Sequence, residues 1–247
     1  MRAPRGARIL SADMMDELLT EAVEAHGGLS RWREISSLEG RIAVSVAGST
    51  PAAPKVELAL MASTHLPLIC LEDVRPGGLL CTFGDDEMRL YRKSGELLQW
   101  RNRDDLQVGR SRGGALEVED IFRSSAALWA ALNAPFLFTW PGFVTREISA
   151  SIGNCGPVRR LLVGFPPGLG GDMQVAIVSF DSDGLMRSMR YAAESHGLTP
   201  ILTATEHAQH DGIVVGKRQF IQAKLSRPDG GVDSLALSLD VKQLRFR

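Results

Sequence analysis

The spacing of apolar residues changes period along this chain, and the change marks out the elements. Behind Ser11, an expected N-cap, Met15, Leu18, Leu19, Ala22 and Val23 recur at helical spacing, and Gly27-Gly28 ends that helix. Ser30 then opens a short helical turn that carries Trp32 and Ile35 to the core, while His26 complements the first helix's C-terminus. From Leu38 the period drops to two: Leu38, Gly40, Ile42, Val44 and Val46 alternate with polar or small residues, and Val56, Leu58, Leu60 and Ala62 do so again. Strands continue over 66–74, 79–83, 87–92 and 96–101, separated by Pro76-Gly77-Gly78, Gly84-Asp85-Asp86 and Ser94-Gly95.

Residues 102–143 interrupt this meander. Asn102–Glu119 is charged and glycine-bearing, and Asp120 is placed to cap a helix in which Ile121, Leu128, Trp129 and Leu132 are apolar, stopped by Pro135. The following PFLFTWPGF has two prolines, so it reads either as a plug over the sheet's core or as the apolar lip of a cavity. Strands resume over 144–152, 158–165, 174–181, 185–194, 201–210, 213–224 and 232–244, with Asp183-Gly184 and Asp229-Gly230-Gly231 as turns. About a dozen strands without βαβ alternation exclude a parallel architecture. The expected fold is mostly β (α+β), a large curved antiparallel sheet forming an incomplete barrel covered by two or three helices.

Composition and charge remove several function classes. The chain has 247 residues, 44% of them hydrophobic, and a formal charge of −1, so it offers no polyanion-binding signature and no nucleic-acid partner is expected. The basic MRAPRGAR start reads as part of a disordered tail, 1–10, before a single domain over 11–247. It lacks the apolar run of a secretory leader, and no stretch of about 18 apolar residues occurs, so a cytoplasmic protein without a transmembrane segment is expected. Cys70, Cys81 and Cys155 fit neither a disulfide framework nor a zinc knuckle. Nucleophile-elbow, zincin, dinucleotide and Walker motifs are missing, and GLGG at 168–171 lies between strands as a turn, so no cofactor is expected.

Candidate chemistry concentrates in Met189–Phe220, where Asp211-Gly212 is a two-residue hairpin signal. A two-residue loop sets His210 opposite Ile213, His207 opposite Gly216, Glu206 opposite Lys217, Thr205 opposite Arg218 and Thr203 opposite Phe220. Strict alternation then gathers Thr203, Thr205, His207, Arg218 and Phe220 on one face. It also sends His207 and His210 to opposite faces, which argues against a metal site.

EAHGGLSRWREISSLEGRI, LWAALNAPFLFTWPGF and YAAESHGLTPILTATEHAQHDGIVVGKRQF resemble, from about Glu21 onward, an uncharacterised bacterial family with a LolA/LolB-like lipoprotein-carrier fold. The resemblance implies an incomplete antiparallel barrel with a helical lid over an apolar cavity, and it supplies no established catalytic residues. Two functions follow as expectations. In the first, the cavity binds a lipophilic small molecule, with Phe136, Phe138, Trp140, Phe143, Trp129, Thr205 and Phe220 as lining. In the second, the same cavity hosts cofactor-independent cyclase- or isomerase-type chemistry on a polyketide- or terpenoid-like substrate, with His207 as acid or base, Arg218 stabilising an enolate or carboxylate, and Tyr191 donating a proton. Ligand identity and oligomeric state are left open by the sequence.

Overall fold

The computed structural model describes residues 15–46, 55–84, 87–102, 125–153, 156–167, 169, 174–192, 201–226 and 232–247. Ser11, Asp120, Ile121, Cys155, His196, most of the GLGG stretch and the proposed 1–10 tail lie outside them. Helix α1 spans Glu17–Ala25 and takes its N-cap from Asp16, whose Oδ1 accepts the Leu18 N–H at 3.0 Å. Its buried residues, Leu18, Leu19, Ala22 and Val23, are those the helical spacing selects. Helix α2, Leu29–Arg33, is capped by Gly28 at φ 83° rather than by Ser30, because two glycines with positive φ let the chain reverse between the helices.

Among the described residues, one antiparallel sheet of thirteen strands carries the rest. Six strands follow the helices: β1 Ser37–Val46, β2 Val56–Ser63, β3 Ile69–Asp73, β4 Leu79–Gly84, β5 Glu87–Arg92 and β6 Leu97–Asn102. After helix α3, Ser125–Asn133, and a 3-10 turn over Phe136–Thr139 come β7 Val144–Gly153, β8 Gly156–Gly164, β9 Val175–Phe180, β10 Met186–Ala192, β11 Ile201–His210, β12 Ile213–Ser226 and β13 Val232–Phe246. The spatial order is β6-β5-β4-β3-β2-β1-β13-β12-β11-β10-β9-β8-β7, so the sheet is open, with β6 and β7 at its edges. Every neighbouring pair but one is consecutive in sequence, and β13 is the exception: it lies between β1 and β12 and joins the two halves.

The helices lie on one face, and the alternate inward residues of the strands form with them a single apolar core. PFLFTWPGF takes the covering role: Phe136, Leu137 and Phe138 are buried, and the Phe136 ring stacks on Trp32 at 4.2 Å with a 5° interplanar angle. β3 begins at Ile69 instead of residue 66, because His65, Leu66 and Leu68 form an exposed turn whose N–H groups at 65 and 66 bond to Ser63 Oγ.

Candidate functional site

The β11–β12 hairpin closes through Asp211 and Gly212, at φ 49° and 88°, as an Asp-Gly loop requires. His210 pairs with Ile213, Ala208 with Val215, His207 with Gly216 and Thr203 with Phe220. Between them the register shifts twice, between Ala204 and Glu206 and between Glu206 and His207, and Glu206 pairs with Arg218. This corrects the expected opposition of Thr205 to Arg218, and with it the single face, since each β-bulge reverses the alternation of side chains.

Leu202, Ala204, Gln219 and Ile221 are buried on the covered face, whereas Thr205 and Arg218 are exposed on the other, with Phe220 half-buried there. Arg218 donates from Nε to Asp240 at 3.1 Å and from an Nη to Glu206 at 2.7 Å. Lys55 and Lys242 each stand 3.7 Å from Asp240, completing an ion network on the open face. Hydrogen bonding to Asp240 pushes the guanidinium's pKa upward, which holds Arg218 as a fixed cation of this network.

His207 does turn inward. Its Nε2 bonds to the Met186 carbonyl at 2.9 Å, and its ring lies edge-on to that of His26, 6.3 Å between centroids. His26 is 2% exposed at the C-terminus of α1, with Nδ1 2.7 Å from the Ala22 carbonyl. Burial lowers the pKa of both histidines, that of His26 to about 4. His26 therefore satisfies the helix end as a neutral donor and not as a cation.

Tyr191 lies elsewhere. It is five residues beyond Met186 on β10, about 16 Å along an extended strand. Tyr191 is 2% exposed, burial pushes its phenol pKa upward, and among the described residues its Oη has no hydrogen-bond partner. His207, Tyr191 and Arg218 are thus three separate places: the foot of the covered face, its far end and the open face.

Around Tyr191 the aromatic residues form a continuous chain. Its ring is 5.8 Å from Phe165, Phe165 is 5.1 Å from Phe143, and Phe143 is 6.0 Å from Phe138. Trp129 contacts Trp140 at 5.7 Å and donates its Nε1–H to the Ser63 carbonyl at 2.9 Å, pinning α3 across β2. Two further polar atoms share the covered interior. Gln219 spends its amide N–H on the Gly216 carbonyl and Asn133 on the Trp129 carbonyl, which leaves Gln219 Oε1 and Asn133 Oδ1 without partners among the described residues. The sequence signal for both was available: an amide at an inward position of β12 and another ending the apolar run SAALWAALN. Cys81 faces the same interior, and burial raises its thiol pKa to about 12, so it stays unreactive.

The open face carries a hollow of about 530 Å3 over β13, β1, β2 and β3, with Glu39, Arg41, Met61, Cys70 and Arg245 around it. Among the described residues no group of three or more His, Cys, Asp or Glu is arranged to hold a metal ion, and no helix is long and apolar enough to cross a membrane.

No protein-family model and no curated protein matches the chain. Solved structures do. A LolA superfamily protein from Nitrosomonas europaea superposes with a TM-score of 0.56 at 12% identity, over 93% of this chain and 92% of that one. A DUF1329 family protein from Desulfovibrio piger superposes with a TM-score of 0.51 at 14% identity, over 93% and 91%. The chain has the LolA-like fold.

Proposed function

We propose that the protein binds a lipophilic small molecule bearing polar groups between the covered face of the sheet and the α3–PFLFTWPGF cover. The observation that carries this reading is a set of polar atoms left unpaired in an apolar interior: Tyr191 Oη, Gln219 Oε1 and Asn133 Oδ1. An unmatched buried polar group costs about 1–3 kcal/mol, and a ligand that supplies the missing partner recovers it. The register sets Gln219 level with Arg187 on β10, four residues from Tyr191, so a ligand would meet them with separate groups: an acceptor for the phenol and a donor, such as a hydroxyl or carboxylic acid, for an amide oxygen. The aromatic chain from Tyr191 to Phe138 supplies the apolar contacts for the remainder. The fold likeness is in keeping with this reading.

Binding, rather than turnover, is what the geometry favours, because the phenol and His207 stand too far apart to act on one reacting centre. Native mass spectrometry of the freshly purified protein tests the reading, together with displacement of a neutral apolar fluorophore. The expected result is a noncovalent adduct, released by organic extraction, and a fluorophore signal that a long-chain carboxylic acid competes away. A protein that carries no adduct and takes up no apolar probe before or after extraction would leave the interior as a packed core and end the proposal.

A further inference from the structure

His26 holds the end of α1 against the sheet through one residue of β10, and His207 ties β11 to the same residue. The Met186 N–H points at His26 Nε2 from 3.4 Å, and the Met186 carbonyl lies 2.9 Å from His207 Nε2. His26 donates its Nδ1–H to Ala22, so Nε2 must be a lone pair to receive the Met186 N–H. A second proton on that ring would set N–H against N–H. Beside it the His26 carbonyl accepts the Val214 N–H at 2.9 Å, and Gly27 lies so close to the Gly212 carbonyl that a Cβ would stand 2.3 Å from its oxygen.

The charges facing this contact are of both signs. From the β9–β10 hairpin come Asp181 and Arg187, already paired at 2.7 Å, and Asp181 Oδ1 also accepts the N–H groups of Asp183 and Leu185. From the β11–β12 hairpin come His207 itself, His210 and Asp211, whose carboxylate is taken by the Phe246 N–H at 3.0 Å. On α1, Glu24 is exposed and Glu21 pairs with Arg159. Asp181 favours a second proton on either ring, while His207 opposes it on His26 and Arg187 opposes it on His207.

We propose that protonation of His26 releases the C-terminal end of α1 from the sheet, making the helix an acid-operated cover of the interior; His207, donating to the Met186 carbonyl, keeps its bond in either state. The proposal rests on the binding reading only for what the opening admits; release itself is a property of the helix. The direction follows from the shifted equilibria. A freed His26 takes up its proton near its ordinary pKa of 6.5, whereas the docked one resists until about 4, so falling pH across that interval favours the undocked helix. For His26 alone the bias reaches up to about 300-fold at the acid end. The N-terminal end has a different anchor, Asp16 Oδ2 on the Glu147 N–H at 2.9 Å, so the helix swings from that end.

Hydrogen exchange, corrected for its intrinsic pH dependence, tests this on the full chain between pH 7 and 4.5. The expected result is that peptides of α1 lose protection by tenfold or more while those of β1, β12 and β13 keep theirs, and that H26Q abolishes the difference. Loss of protection everywhere at once, or a pH response retained in the variant, would overturn the proposal. Should that variant fail to fold at pH 7, imidazole titration by NMR in the wild type decides: His26 must titrate together with the α1 amides, and a ring that titrates with no change in them refutes the latch. A neutral apolar fluorophore added to the same samples separates the two claims. Helix release without probe uptake keeps the latch and removes the binding site, whereas uptake at pH 7 with no acid release does the reverse.

Discussion

Tyr191 concentrates the residue-scale argument, since a phenol 2% exposed without a partner is a cost the empty protein bears. Tyr191→Phe removes that hydroxyl with little change of shape, and we expect the extracted protein to gain about 1 kcal/mol, read as a higher urea midpoint at unchanged slope. The same variant should retain its copurified adduct less well by native mass spectrometry. An unchanged midpoint would mean that the hydroxyl is already satisfied. His26 behaves oppositely to a salt-bridged histidine. Its folded pKa is depressed, so the unfolded chain binds the proton first, and stability is lost as pH falls from about 6.5 to about 4. Urea titrations at pH 7 and 4.5 should show the decline, and H26Q should reduce it. His207's inward position was legible from the Asp211-Gly212 turn, because pairs near a tight loop follow from counting. Arg218's was not: the bulges around Glu206 depend on how the sheet bends, and no local pattern in TATEHAQ announces them.

Among the elements, the helices and their cover decide what the sheet can enclose. Phe136 is the bolt of that cover, stacked on Trp32 and 1% exposed. Phe136→Ala should cost about 3–5 kcal/mol, measured by chemical denaturation. Gly27, at φ 118° against the Gly212 carbonyl, cannot accept a side chain without moving α1 off the hairpin. Gly27→Ala is expected to destabilise by about 2 kcal/mol or more and to raise exchange in α1 selectively. Most strands and the α1 face were readable from their periods. The cap at Asp16 was not, since both Ser11 and Asp16 have N-cap chemistry and the choice is made by Glu147, more than a hundred residues away, which gives Asp16 a second donor. The plug at 135–143 was readable only as one of two options, because aromatic content is the same for a filled core and a lined cavity.

The whole molecule is two meanders sewn along one strand. β1 to β6 and β7 to β12 each follow sequence order, which turn spacing alone conveys; that β13 lies between β1 and β12 is a long-range choice the local pattern does not encode. Leu239 sits at the seam, opposite Val44 on one side and Gln219 on the other. Leu239→Pro removes a ladder donor at the centre of the sheet, and we expect the single cooperative transition in calorimetry to disappear. Persistence of one sharp transition would show that the two halves adhere through the helices instead.

That seam also sets a schedule for the nascent chain. Leu38 pairs with Phe246, some two hundred residues later, so at typical elongation rates of about 5–20 residues per second β1 waits about 10–40 s for its permanent neighbour. Throughout that interval the middle of the future sheet, and not its finished rim, is the exposed edge. On a crowded polysome it is there that two half-made copies would pair with each other, and there that a holding chaperone would find its target.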